Sequence, residues 1–452
     1  MHKNLVLTFL CGASFLVPFM GSAINLTLPQ ISEVFSMKAV SLSWIASSYL
    51  IVTAVFQVPF ARVGDMFGRK KMFIGGVAIF GLFTFLCGFA PSGDALIVFR
   101  GLSGLGSAMM FGTNMAILSS VFPPQERGKA IGIITATVYF GLASGPFFGG
   151  MLTHYWGWEC LFILTGIFGF LIVIGSVIVL KGEWIEAKGE RFDYTGSAIY
   201  AIGLFGLIYG ISRLPQTFSF VWIAIGIVAC VFFVYYELRD KQPLFNVRIF
   251  SGNKIFGFSN LSALINYACT FAVTYMMSLY LQYIRGFNAQ DAGLFLIIQA
   301  GIQCVVSLYA GRLSDRINPS MIATTGMGII VAGLIGLVFL TSGTPVPVIV
   351  LLLALLGLGF GLFSSPNANI IMGSVEKRFY GQASATMGTM RLVGQSFSMG
   401  IAMMATSLHL GNQLIVPEVY HLLMKSIQTT FGICAILCII GTYTSTFRVK
   451  KA

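Results

Sequence analysis

The chain has 452 residues, of which 56% are hydrophobic and 9% charged, and a formal net charge of +12. A soluble domain carries about 25% charged residues, so charges this sparse exclude a water-soluble globular protein and predict an all-α integral membrane protein. The basic surplus invites a nucleic-acid reading, but Lys and Arg fall in short turns between apolar runs. There they set topology, and no nucleic-acid partner is expected.

Fourteen windows reach the roughly 20 apolar residues of a membrane helix: 5–28, 41–63, 72–92, 95–121, 129–153, 158–181, 194–213, 217–237, 255–284, 290–311, 320–341, 346–372, 381–408 and 427–446. The first follows Lys3 as a signal peptide would. It is too long for a signal core and has no small-residue cleavage site, so it counts as a span. The windows 194–213 and 290–311 are the most polar. With both termini cytoplasmic, most of the 27 basic residues lie on the cytoplasmic side, and the other side holds Lys38, Arg213, Arg285 and Lys425. Shifting the count by one helix would destroy this asymmetry, so a multi-pass protein of the cell membrane is expected, with both ends inside.

After the second span comes a dense turn, Ala61-Arg62-Val63-Gly64-Asp65-Met66-Phe67-Gly68-Arg69-Lys70-Lys71. A degraded copy follows the tenth span as Gly311-Arg312-Leu313-Ser314-Asp315-Arg316. A charged turn that recurs once points to two related halves. Two six-span halves would place the copies after spans two and eight, so two extra spans lie between them. The division expected is 1–182 for the first half, 183–254 for an inserted helix pair with charged connections, and 255–452 for the second half. The longest connections, about 181–193 and 238–254, are too short for a soluble catalytic domain.

Several segments resemble family motifs. Asp65-Met66-Phe67-Gly68-Arg69-Lys70 matches a loop motif core, with Ala61 replacing its leading Gly. Arg100-Gly101-Leu102-Ser103-Gly104-Leu105-Gly106 resembles RxxQGxG, with Ser103 for Gln. Gly141-Leu142-Ala143-Ser144-Gly145-Pro146-Phe147-Phe148-Gly149-Gly150 matches GxxxGPxxGG in full, and Asp193-Tyr194-Thr195-Gly196 resembles the DxxG that opens an inserted helix pair. On these residues the whole chain resembles the major facilitator superfamily, in its fourteen-span drug:proton antiporter branch. The resemblance implies efflux of small, partly hydrophobic compounds by alternating access, with the proton as coupling ion, and a monomer. It departs in the first span, where Met20 occupies the position of a membrane-embedded Asp. The competing expectation is a metabolite exporter, importer or facilitator of the same superfamily with different or no proton coupling.

The chemistry divides into four groups. Asp65, Gly68, Arg69 and Asp315 are candidate gate residues, because a carboxylate and a guanidinium on tight turns can brace helix ends across the cytoplasmic interface of the halves. Gly141, Gly145 and Gly149 recur every four residues and admit a neighbouring backbone, with Pro146 permitting a kink and Gly150 completing the motif. Arg100 and Arg391 lie inside spans, where a lone charge costs at least ~2.5 kcal/mol, so each needs a partner, water or an anionic group. Polar uncharged side chains in spans are candidate cavity residues: Asn25, Tyr49, Gln57, Asn114, Tyr139, Asn266, Gln299 and Asn367, with Tyr267, Tyr275, Gln303, Asn369 and Gln395 in a wider set.

All 15 carboxylates, Asp193 and Glu237 among them, lie in loops or near helix ends. With no acid central in a span, lipophilic dications are poor substrates, and neutral, zwitterionic or anionic compounds fit better. The eight cysteines read as small packing residues without a CxxC pair. No metal cluster, catalytic triad or GxxxxGK[ST] nucleotide loop is seen, so neither an enzyme nor a cofactor is expected, and transport is gradient-driven or passive.

Overall fold

The computed structural model describes residues 3–240, 243–245, 247–314, 316–376 and 380–446. The first eight helices are α1 (Lys3–Phe35), α2 (Ala39–Phe67), α3 (Arg69–Cys87), α4 (Gly93–Val121), α5 (Pro124–Trp156), α6 (Trp158–Val179), α7 (Tyr194–Ser212) and α8 (Thr217–Arg239). After the single turn α9 (Arg248–Ser251) come α10 (Lys254–Leu279), α11 (Ala289–Leu313), α12 (Pro319–Val338), α13 (Val346–Gly373), α14 (Tyr380–His409) and α15 (Tyr420–Thr446). The chain is an all-α integral membrane protein.

Helix ends sit where the sequence supplies caps. The side chains of Ser92, Asp193, Asn253, Asn288 and Asn318 each accept a backbone N–H of the first turn they precede, satisfying donors that lack an intrahelical partner. Proline opens α5, α12 and α13, where its missing N–H costs nothing. Among the described residues, thirteen helices are long and apolar enough to cross a membrane. The exception among the long helices is α14, and not the windows around α7 and α11 that the sequence marks as most polar. It carries Gln382, Thr386, Thr389, Arg391, Gln395, Ser396 and Ser398, and packs against α10, α2, α15 and α7. Protein neighbours rather than lipid surround much of it, which lets it keep these polar groups.

The helix pairings repeat along the chain. α1 packs on α5 and α6, α2 on α4, and α3 on α4 and α6; correspondingly α10 packs on α14 and α15, α11 on α13, and α12 on α13 and α15. Equivalent asparagines brace equivalent pairs. Asn114 on α4 donates to Ser14 Oγ of α1 at 2.6 Å, and Asn367 on α13 donates to the Ser259 carbonyl of α10 at 3.3 Å. α7 and α8 pack on each other, and α7 also touches α2 and α14.

The two sets of six helices meet along α5–α11, α2–α14 and α1–α10. Hydrogen bonds seal this seam at the end away from the termini. Ser278 Oγ donates to the Asn25 carbonyl at 2.6 Å, Ser47 Oγ to Met403 Sδ at 2.9 Å, and the Ala39 amide to the Gln413 carbonyl at 3.0 Å, while Ser43 and Tyr275 share a hydroxyl bond of 2.6 Å.

Candidate functional site

A cavity lies at mid-height on the seam between the two sets of helices. α1 contributes Ser22 and Asn25, α5 contributes Tyr139, Leu142 and Pro146, and α10 contributes Tyr267, Thr270, Phe271 and Thr274. Gln299 and Gln303 stand one turn apart on α11, and Arg391 and Gln395 one turn apart on α14. The space between these side chains is about 60 Å³, far below the roughly 300–1,000 Å³ of a pocket for a drug-sized ligand. A ligand of that size needs the helices to part.

The electrostatics of the cavity are one-sided. Arg391 is the charged residue in its lining, and no carboxylate shares it. The guanidinium stands 5.5 Å from the Phe111 ring centroid of α4, a cation–π contact that holds it without neutralising it. Asn25 is fully buried, and both its Oδ1 and Nδ2 lack a hydrogen-bond partner. An unpaired buried amide costs on the order of 1–3 kcal/mol, which a ligand or water filling the cavity would recover.

Of the sequence candidates, Asn25, Tyr139, Gln299 and Arg391 therefore meet in one cavity, together with Tyr267, Gln303 and Gln395 of the wider set. Others stand outside it. Tyr49 donates to Ser107 Oγ at 2.7 Å and lies under the Arg100 guanidinium, 4.4 Å from its ring centroid. Asn114 and Asn367 spend their amides on the braces described above. Gln57, on α2 near Gly388 of α14, keeps a buried Oε1 without a partner, and Asn266 keeps an unpartnered buried Nδ2. Ser22, Thr270 and Thr274 line the cavity without having been singled out; a lone hydroxyl in a span more often bonds its own helix, as Ser22 and Thr270 also do.

Arg100 is buried in the first set of helices, 1% exposed, apart from the cavity. Its Nε donates to the Ile45 carbonyl of α2 at 3.2 Å, and its Nη1 has no partner. Met20, where the resemblance expects an acid, is fully buried in the apolar core.

The GxxxGPxxGG motif of α5 divides its work between two neighbours. A Cβ on Gly141 would come within 2.7 Å of the Phe15 carbonyl and one on Gly149 within 2.6 Å of Ala23 Cβ, while one on Gly145 would strike Ser22. These three glycines seat α5 on α1. Gly150 instead faces the Ala289 carbonyl of α11, and Gly293 of α11 faces the Pro146 carbonyl of α5. That second contact is the seam itself.

The charged turn after α2 forms a tight network. Gly68 takes φ +123°, and a Cβ there would collide with the Glu183 carboxylate, so only glycine fits. Arg69 is held on three sides. Its Nε donates to Asp65 Oδ1 at 2.6 Å, its two Nη groups grip Glu186 at 2.6 Å each, and Nη1 also reaches Ser120 Oγ at 3.0 Å. Backbone bonds reinforce the joint: the Glu186 and Ala187 amides donate to the Asp65 carbonyl, and the Arg69 amide to the Trp184 carbonyl. Glu183 accepts from the Lys70 amide at 2.7 Å, and Arg62 pairs with Glu190. In this structure, then, the partners of Asp65 and Arg69 come from the turn itself, α4 and the connection between α6 and α7. The sequence pointed to a brace across the halves; the bonds seen here run instead to the inserted region. Asp315 lies outside the described residues.

The eight cysteines are all unpaired. No group of three metal-ligating side chains occurs among the described residues.

Comparison with known proteins accords with this architecture. The family model of the Major Facilitator Superfamily matches residues 10–399. The chain is 26% identical to the riboflavin transporter RibZ of Clostridioides difficile (strain 630), over 100% of this chain and 98% of that protein. It is 30% identical to the multidrug resistance protein Stp of Mycobacterium tuberculosis (strain CDC 1551 / Oshkosh), over 89% of this chain and 76% of that protein. Among solved structures, a bacterial homolog of the human lysosomal transporter Spinster superposes with a TM-score of 0.72 at 16% identity, over 100% of this chain and 99% of that one; this likeness speaks to fold alone. A match across most of the chain, on fourteen long helices arranged as two related sets of six and an inserted pair, makes this protein a transporter and a member of the Major Facilitator Superfamily.

Proposed function

We propose that this protein exports small, partly hydrophobic compounds of neutral, zwitterionic or anionic character by alternating access, in exchange for protons. The observation that carries the reading is the seam cavity with Arg391 and no carboxylate. A cation entering it meets an unneutralised guanidinium in a low-dielectric wall, and an anion gains a charge-assisted hydrogen bond there. Stp, a relative over most of this chain, is named for drug resistance, which supports the export direction.

In this reading the units that rock are 1–182 and 255–452, with 183–254 as the inserted region, in a monomer of the cell membrane whose termini face the cytoplasm. The hydrogen bonds around Ser43, Ser47 and Ser278 close the outer side, so substrate enters from the cytoplasmic side once the helices there part. The turn at Asp65–Arg69 is the cytoplasmic gate element.

A second reading, a metabolite carrier without proton antiport, draws on a specific observation. A relative aligned over the full chain is named a riboflavin transporter, and the cavity lining has no acid to take a proton. Reconstituted protein in liposomes with an imposed pH gradient separates the two. Accumulation that follows the gradient and collapses with a protonophore supports antiport; flux indifferent to it leaves the carrier without proton exchange.

A further inference from the structure

Buried carboxylate oxygens occur away from the cavity, on the inserted helices. Glu237, near the end of α8, is the one fully buried carboxylate among the described residues, 1% exposed. Its Oε2 accepts the Phe245 amide at 3.0 Å, which folds the chain back over the helix end. Its Oε1 is buried without a partner. Asp193 faces it from the start of α7. Asp193 Oδ1 accepts the Gly196 amide at 2.7 Å and the Tyr236 hydroxyl at 3.3 Å, while its Oδ2 is likewise buried and unpartnered. The two orphan oxygens converge over Gly196: a Cβ built there would strike the Asp193 carboxylate and lie 2.7 Å from Glu237 Oε1.

Two carboxylates whose buried, donorless oxygens face the same point over Gly196 repel when both carry charge; one proton between them relieves both the repulsion and the orphan acceptors. We propose that Asp193 and Glu237 form a proton-binding site, holding one proton between Asp193 Oδ2 and Glu237 Oε1. Binding takes the pair from two negative charges to one. Release separates α7 from the end of α8.

Among the described residues, no counter-ion is bonded to those two oxygens. α7 adds Ser197 and Tyr200, and Tyr200 donates to the Ala54 carbonyl of α2. α8 adds Tyr236 and Asp240, while Arg239 lies over the Tyr235 ring. Arg248 reaches the Leu238 and Asp240 carbonyls, and Arg62 of α2 pairs with Glu190. Leu244, Phe233, Val58, Leu392 and Val393 fill the remainder of the cluster around this helix pair. The site is also tied to the gate. Asp193 follows directly on the segment whose Glu186 and Glu190 hold Arg69 and Arg62, so a shift of α7 pulls on the turn at Asp65–Arg69.

This inference rests on the transporter reading and not on antiport. Infrared difference spectroscopy on the purified full-length protein reads the carboxylic-acid carbonyl band as pH is stepped. Glu237→Gln and Asp193→Asn are the variants, because an amide keeps the Phe245 contact in one and the helix cap in the other. The expected result is a pH-dependent band in the wild type, lost in both variants, with the pH dependence of transport flattened at the same time. A band that persists unchanged in Glu237→Gln overturns the proposal, as does a band displaced by sodium at constant pH, which would make the pair a metal-cation site. If wild-type flux ignores the imposed gradient while the band still depends on Glu237, antiport fails and the site stands.

Discussion

Arg391 and Asn25 illustrate how much a single residue can reveal. A charge ten or so residues into a span has few ways to exist, and facing a polar cavity is one of them; the sequence alone narrowed Arg391 to that short set. Asn25 was legible for a similar reason, since an amide deep in α1 must find a partner. Tyr49, Asn114 and Asn367 carry the same sequence signal and turn inward to brace helices, because the choice depends on which neighbour lies within hydrogen-bonding distance. Glu237 carries no such signal, for a different reason. It sits near the end of its span, where an acid normally meets water, and only the return of the chain at Phe245 buries it. At this scale, Gly68→Ala is expected to cost about 1–3 kcal/mol of stability, from a disfavoured φ and a clash with Glu183, seen as a lower melting temperature of the detergent-solubilised protein. Asn25→Leu should weaken substrate binding while leaving that melting temperature unchanged or higher, because it removes two orphan polar atoms from the apo protein.

Among the elements, α5 and α14 carry the most. The glycines of α5 were readable as a close-packing face, and Gly141, Gly145 and Gly149 indeed lie on α1. That Gly150 turns to α11 was not readable, since it depends on which helix lies across the seam. Gly293→Leu on α11 should therefore force the seam apart near Pro146 and abolish transport, while the halves still fold; the check is transport in liposomes set against unchanged helicity and monodispersity. α14 shows the reverse case: its polarity hides it from a hydrophobicity threshold, yet its length and its place between α10, α2 and α15 put it in the bundle.

At the scale of the whole molecule, the repeated helix pairings and the bonds that close the seam away from the termini fit one state of the proposed rocking carrier. Spin labels at Lys38→Cys and Gln413→Cys, on a background without the native cysteines, should give a short, narrow distance in the resting protein and a longer one when the outer side opens. A distance that never changes during turnover would rule out opening at this seal. The charged turn 61–71 was the clearest global signal in the sequence, and its partners were the least legible part. Glu183, Glu186 and Glu190 sit in a connection without periodicity, and only the folded chain shows that they grip it.

Arg391, alone among charges in the lining of the seam cavity, is proposed to set the charge of the substrate. The direct measurement is competition by matched anionic, neutral and cationic compounds for binding to the wild type and to Arg391→Gln. The wild type is expected to prefer the anion, and the substitution to weaken anion binding about tenfold or more, the equivalent of ~1.4 kcal/mol, with the neutral compound little changed. Tight binding of a dication to the wild type, or an anion affinity indifferent to Arg391→Gln, would contradict it.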